Sequence, residues 1–244
     1  MVAKRIIPCL DVKDAQVVKG INFEGLREVG DAVEMGVRYA REGADELVYL
    51  DISASREERR TFAALVEKIA LGINIPFTVG GGIGSVEDAA RPERHAAAVR
   101  AEVRMVVRAV EDVRRAVVAI DAKNVEGRWL CTTHGGSRFT DRELFDWAHE
   151  AQERGAGEIL FTSMDHDGTR NGYAIDVYTR LNGLLSIPVI ASGGAGSVQD
   201  IVDVLTFGKA DAALAASIFH YGQIPIPRLK ASLAAAGVPV RITT

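Results

Sequence analysis

IPFTVGGGIGSVED at Ile75–Asp88 returns as IPVIASGGAGSVQD at Ile187–Asp200, 112 residues further along the chain. GADELVYLDIS at Gly43–Ser53 returns as GAGEILFTSMD at Gly155–Asp165 with the same offset. IIPCLDVKD, from Ile6, has a weaker echo in VVAIDAKN from Val117. Self-similarity at a fixed long period means one structural unit used twice. In each copy a short apolar run rich in β-branched residues leads into a longer amphipathic run. Strands that are apolar throughout, without alternation, suit a parallel sheet covered by helices. Four βα units per half make eight, and eight close naturally into a barrel. The predicted fold is therefore α/β, a (β/α)8 TIM barrel built from two similar half-barrels. No linker composition marks the midpoint, so residues 1–244 read as one domain.

Working outward, the predicted strands are Ile6–Leu10, Leu47–Leu50, Phe77–Val79, Val117–Ile120, Ile159–Thr162, Val189–Ala191 and Ala213–Ala215. Helical patterns fall at about Ala32–Glu42, Glu57–Ala70, Asp141–Glu153, Ile175–Leu185, Val198–Phe207 and Pro227–Ala236. Asp31, Thr140 and Ser197 stand where helix N-caps belong. Asn124 to Gly127 followed by RWLCTT reads as a hairpin inserted after the strand that ends in Asp121.

The fourth unit is irregular. In the second half SVQD leads through a helix to GKADAALAASIF, which reads as the eighth strand and a loop suited to phosphate. The corresponding stretch of the first half, ARPERHAAAVRAEVRMVVRAVEDVRRAVV at Ala90–Val118, holds seven arginines and no lysine. Only Met105–Val107 reads as strand there, and EDVRR leaves little room for a helix before the next strand.

Bulk properties bound the function. A formal net charge of -4 over 244 residues argues against bulk attraction to nucleic acid. The sequence holds no uncharged apolar run of membrane-spanning length, and MVAKRI is not a secretion signal. Cys9 and Cys131 form no metal-spaced cluster, which suits a reducing compartment and a cytoplasmic protein. His95, His134, His149, His166 and His220 lack ligand spacing, so neither metal nor cofactor is expected.

Chemistry is expected above the C-terminal ends of the strands, where parallel barrels carry their sites. Asp11 follows IIPCL and Asp121 follows VVAI, placing one carboxylate on strand one and one on strand five. Facing carboxylates can divide proton transfer, one as base and one as acid. Asp51, Asp165 and Asp167 also follow strands, and Asp167 before Gly168 suits either a substrate contact or a tight turn. The clusters Gly80–Gly84 and Ser192–Gly196 each sit between a strand and a helix, where backbone N–H groups can hold an anion. One cluster is explained by turn geometry alone, whereas one per half suggests a long substrate with a phosphate at each end. Ala216 and Ser217 would complete the second cradle. Lys19, in a long loop after strand one, reads as solvated or as folding over an anion. Cys9 reads as core, not as a nucleophile.

AKRIIPCLDVKD, VVKGINFE, DELVYLDISAS, PFTVGGGI, VVAIDAK, GAGEILFTSMDHDGT and VIASGGAG together closely resemble the cyclase subunits of imidazole glycerol phosphate synthase. The resemblance covers nearly all of Met1–Asp88 and Ala116–Ile242. It implies Asp11 and Asp121 as the acid/base pair and a phosphoribulosyl formimino carboxamide ribonucleotide, phosphorylated at both ends, as substrate. Ammonia would attack it, giving imidazole glycerol phosphate and the aminoimidazole carboxamide ribonucleotide. The resemblance also implies a glutaminase partner in a heterodimer, docked on the N-terminal face and sending ammonia through the barrel. Arg5, Glu46 and Glu158 match the ring at that entrance, and Lys19 matches the substrate lysine. Gly82 matches the first phosphate site. Gly168, Gly194, Ala216 and Ser217 match the second, and Asp167 matches a further active-site aspartate.

Departures concentrate in the arginine-rich stretch. It lacks the family's Gly-Ala-Asp-Lys-Val strand and the Asn-Thr of the first phosphate site, and Ala174 and the FTD near Thr140 also differ. Two explanations stand. In one, an arginine such as Arg104 or Arg108 takes over the phosphate contacts. In the other, Ala90–Arg115 is a GC-rich stretch read in a shifted frame. Two other functions fit less of the chain: the sister isomerase of the same pathway, and a catalytically impaired barrel serving a glutaminase as binding or allosteric subunit.

Overall fold

The computed structural model describes residues 2–21, 24–52, 56–81, 103–107, 116–133 and 136–243. Its strands are β1 (Arg5–Lys13), β2 (Gln16–Ile21), β3 (Glu24–Asp31), β4 (Leu47–Asp51), β5 (Phe77–Gly80), β6 (Val103–Val107), β7 (Ala116–Val125), β8 (Arg128–Thr133), β9 (Arg138–Glu143), β10 (Glu158–Ser163), β11 (Val189–Ser192) and β12 (Ala212–Ala215). Eight of them pair in parallel in the order β10-β11-β12-β1-β4-β5-β6-β7, and β7 pairs β10 to close the ring. This is the (β/α)8 barrel that the repeat implies. The fourth strand, β6, takes its place between β5 and β7 and begins two residues before the predicted Met105. Residues 90–102 and 108–115 of the arginine-rich stretch, Arg108 among them, and Gly82 ahead of it lie outside the described residues.

Helices α1 (Ala32–Arg41), α2 (Arg56–Gly72), α3 (Leu144–Glu153), α4 (Ile175–Leu184), α5 (Val198–Thr206), α6 (Ser217–His220) and α7 (Ile226–Ala235) follow or flank the strands. Asp31 caps α1 by accepting from the amides of Val33 and Glu34. Ser197 and Asp200 form a reciprocal capping box on α5. No described helix is long and apolar enough to cross a membrane.

Two expectations are corrected. Thr140 caps no helix: it lies within β9, its hydroxyl donating to the Cys131 carbonyl at 2.9 Å. Pairing with β8 consumes residues up to Glu143, so α3 starts only at Leu144. Lys19 stands not in an irregular loop but on β2, which folds back antiparallel on β1 and pairs β3.

The half-barrel repeat extends to backbone packing. Gly81 has φ +93°, and a Cβ there would lie 2.0 Å from the Asp51 carbonyl oxygen. Gly193 has φ +86°, and its Cβ would lie 2.7 Å from the Ser163 carbonyl oxygen. Both partners of this contact are displaced by the same 112 residues, as are Gly43 and Gly155, which end α1 and α3 with φ +92° and +96°. Only glycine combines positive φ with so close an approach. Gly81→Ala and Gly193→Ala are each expected to cost about 1–3 kcal/mol, the former more, as read from urea unfolding midpoints.

The core has two layers. Side chains of Ile6, Leu10, Leu47, Tyr49, Phe77, Val79, Ile159 and Phe161 point outward against the helices. Ile7, Cys9, Val48, Val117, Leu160, Ile190, Ala212 and Leu214 fill the barrel itself. At its N-terminal end a polar clamp seals the seam between first and last units. Half-buried Asp45 accepts from the Ile6 amide at 2.9 Å, from Lys230 Nζ at 2.7 Å and from Arg241 Nε at 2.9 Å. The amide of Lys4 donates to the Pro239 carbonyl at 2.7 Å, and Lys4 bridges Val240.

Candidate active site

Side chains alternate along a strand, so inward-facing Ile7 and Cys9 put Arg5 and Asp11 on the same interior face of β1, at opposite ends. The same parity carries Asp121 above inward-facing Val117 and Ala119 on β7. In the closed ring β1 and β7 lie four strands apart in either direction. Asp11 and Asp121 thus stand on opposite sides of the mouth.

Asp11 is almost buried, and Lys19 Nζ reaches its Oδ2 at 3.1 Å from the β2 strand. Burial works against the Lys19 ammonium, but Asp11, Cys9 and Asp167 more than offset it and raise its pKa. Lys19 is therefore a fixed cation between the two carboxylates of β1 and the loop after β10. Asp167 is exposed to solvent in the loop after β10. Reduced hydration and nearby Asp11 raise its pKa, against the opposing pull of Lys19 and the Gly168 amide. Asp121 is half-buried and paired in register with Thr132 and Thr162. Asp165, in contrast, is a structural tie: its Oδ2 accepts from the Asn124 amide at 2.7 Å, holding the loop to β7. Asp51 is buried beneath Gly81.

The second glycine cluster is packed backbone against backbone. A Cβ at Gly194 would fall 2.0 Å from the Gly172 carbonyl oxygen, and one at Gly196 would fall 2.3 Å from that of Arg170. Gly196 and Ser197 amides already donate to Asp200 Oδ2, at 2.9 and 2.7 Å. An anion would therefore meet the amides of the turn ahead of them. Ala216 and Ser217 follow β12 directly, and Gly168 lies in the loop after β10, so all four second-cradle residues sit at the same mouth. The α6 turn that begins at Ser217 ends in His220, whose Nδ1 lies 2.7 Å from Tyr39 Oη on α1. Burial, with Lys19 adding to it, lowers the His220 pKa to about 4, so the ring is neutral at pH 7. Cys9 is core, as read from the sequence, and burial followed by Asp11 pushes its thiol pKa well up.

At the opposite end of the barrel Arg5 Nη1 meets Glu46 Oε2 at 2.8 Å, and Arg5 Nη2 meets Glu158 Oε2 at 2.8 Å. Burial disfavours the guanidinium charge, yet Glu158 and Glu46 more than offset it and the Arg5 pKa is raised. Thr78 Oγ1 donates to Glu46 Oε1 at 2.6 Å. The sequence reading did not single out Thr78, because a threonine inside an apolar strand gives no signal until its register is known. Between this ring and the mouth the described interior side chains are mostly apolar.

The model of the histidine biosynthesis protein family matches residues 5–225 of the chain. The imidazole glycerol phosphate synthase subunit HisF of Bacteroides fragilis is 53% identical over 250 residues, covering 99% of this chain and 100% of that protein. The subunit of the same name in Flavobacterium johnsoniae is 52% identical over 256 residues, with the same coverage. That of Cytophaga hutchinsonii is 50% identical over 250 residues, again with 99% and 100% covered. With matches of this identity running the length of both partners, the chain belongs to the HisF family of imidazole glycerol phosphate synthase subunits.

Proposed function

We propose that this chain is the ammonia-dependent cyclase of histidine biosynthesis and that Asp11 and Asp121 carry its proton transfers. The substrate is the phosphoribulosyl formimino carboxamide ribonucleotide, and the products are imidazole glycerol phosphate and the aminoimidazole carboxamide ribonucleotide. The observation that carries this reading is the pair of carboxylates four strands apart at one mouth. Ammonia must lose protons as it condenses on the substrate carbonyl, and the carbonyl oxygen, leaving as water, and the departing amine must gain them. A base and an acid on opposite sides of the substrate serve both needs without either having to move. Lys19 neutralises anionic charge beside Asp11. Gly168, Gly194, Ala216 and Ser217 hold the second phosphate, and Gly82 belongs to the first.

A glutaminase partner on the N-terminal face would supply ammonia through the Arg5–Glu46–Glu158 ring. The apolar interior suits a neutral NH3 and opposes a charged ammonium ion. Val2, Leu71, Leu184, Phe207 and Ile242 are exposed on this face, since helices end and strands begin there. Purified chain given the formimino substrate and a saturating ammonium salt at mildly alkaline pH is expected to form imidazole glycerol phosphate. Isomerisation without ammonia would favour the sister isomerase, and a folded but inactive chain would favour a binding subunit.

A further inference from the structure

The second cradle is assembled from three loops, those following β10, β11 and β12. Two buried tyrosines reach the ends of these three strands. Tyr178 on α4 is fully buried, and its hydroxyl lies 2.9 Å from the Phe161 carbonyl of β10 and 2.8 Å from the Ser192 carbonyl of β11. The same oxygen accepts from the Ser192 amide at 3.0 Å. Tyr173, just before α4, donates to the Leu214 carbonyl of β12 at 3.0 Å. The two rings meet edge to face, with centroids 6.2 Å apart. Ser192 immediately precedes Gly193 and Gly194, and Leu214 lies two residues before Ala216. In the first half the position 112 residues before Tyr178 is Val66, also fully buried, with no polar atom to offer.

Strand ends are the natural weak point of a cradle built from loops. The loops are held by hydrogen bonds of their own, such as Asp167 amide to Ser163 carbonyl and Gly172 amide to Gly194 carbonyl, both at 2.9 Å, but the strands beneath them set the angle at which they depart, and small displacements at a binding site are costly. We propose that Tyr173 and Tyr178 are positioning residues for the second phosphate cradle, tying the ends of its three strands into one rigid frame. This rests on the reading of Gly168, Gly194, Ala216 and Ser217 as a phosphate site, and deepens it. The phosphate at this end of the substrate meets a preformed site, so it anchors the ground state. Loss of a tyrosine hydroxyl raises KM more than it lowers kcat.

The test uses the whole chain and inorganic phosphate as probe, titrated calorimetrically, with steady-state kinetics on ammonium alongside. Ser217→Asp places a carboxylate in the cradle, and the phosphate binding it abolishes belongs to this site. Tyr178→Phe is expected to weaken that component about tenfold and raise KM about tenfold, with kcat within about threefold. Tyr173→Phe, which loses a single hydrogen bond, is expected to act in the same direction and serves if Tyr178→Phe does not fold. Val66→Ala, a cavity at the matching place in the first half, is expected to lower stability while leaving that component unchanged. If the tyrosine variants lose stability like Val66→Ala yet keep phosphate affinity and KM, the positioning role is overturned. If Ser217→Asp changes neither phosphate binding nor KM, the phosphate site itself is misassigned and the proposal falls with it.

Discussion

Asp11→Asn is expected to lower ammonia-dependent kcat by about 10³-fold, with KM changed only a few-fold. General acid–base catalysis contributes about 10²–10⁴-fold, and an amide keeps the size of the carboxylate while exchanging no proton. Lys19 can still donate to the Asn carbonyl oxygen, so the β2 strand keeps its place beside β1. What the variant removes is the charge that holds the Lys19 pKa up. Asp121→Asn is expected to behave alike, because the two carboxylates serve one sequence of proton transfers from opposite sides. Steady-state kinetics with saturating ammonium would decide the matter. A variant that kept most of its kcat would mean that Asp11 acts in binding and not in chemistry.

The largest expected loss of stability comes from Asp45, far from that mouth. Its carboxylate is 8% exposed and its partner Lys230 only 3%. Asp45→Ala leaves a buried ammonium without a counter-charge and strips the Ile6 amide of its acceptor. Removing one member of a buried pair costs about 3–5 kcal/mol. Arg241, 44% exposed, adds little to this, since water screens its pairing. Burial already lowers the Lys230 pKa despite Asp45, and without Asp45 the ammonium would keep the Arg241 carbonyl, 3.0 Å away, as an acceptor that carries no counter-charge. Urea unfolding is the direct measurement. The double variant Asp45→Ala/Lys230→Met is expected to recover much of the loss, because it removes the stranded charge together with its partner. No recovery would show that the cost lies in the Ile6 amide and the packing instead.

Much of this architecture could be read from the residues. The 112-residue offset between Gly81 and Gly193, visible as a pattern, marks the same backbone contact in both halves. Asp11 and Asp121 were recognisable because the strands beneath them are apolar and their own position is the first polar one. The two hairpins show where legibility ended. Glu126 and Gly127, with φ 52° and 84°, make a turn announced by its glycine. Asp14 and Ala15 make a turn between β1 and β2 with φ 52° and 61°, and alanine gives no warning of a left-handed backbone. The strand bearing Lys19 therefore reads as loop from sequence. Thr140 misled for a related reason: an oxygen side chain before an amphipathic run suits a cap, but strand pairing to β8 claimed it first. Tyr173 and Tyr178 were unreadable as a pair, since only the folded ring brings three strand ends within their reach.

Barrel closure sets a problem in time as well as in space. Of the barrel strands β1 is synthesised before the rest, yet one of its two parallel neighbours, β12, spans Ala212–Ala215. At about 5–20 residues per second, synthesis leaves that side of β1 without its partner for roughly 10–40 s. An unpaired strand edge invites pairing with other chains. Pro8, which meets Ala215 in the finished register, removes a donor from β1 during that wait. Lys4 and Asp45 wait longer still, for Val240 and Arg241. Quality control of a nascent chain can thus turn on Val240 and Arg241: until they arrive, β1 is the strand a chaperone or protease would find open.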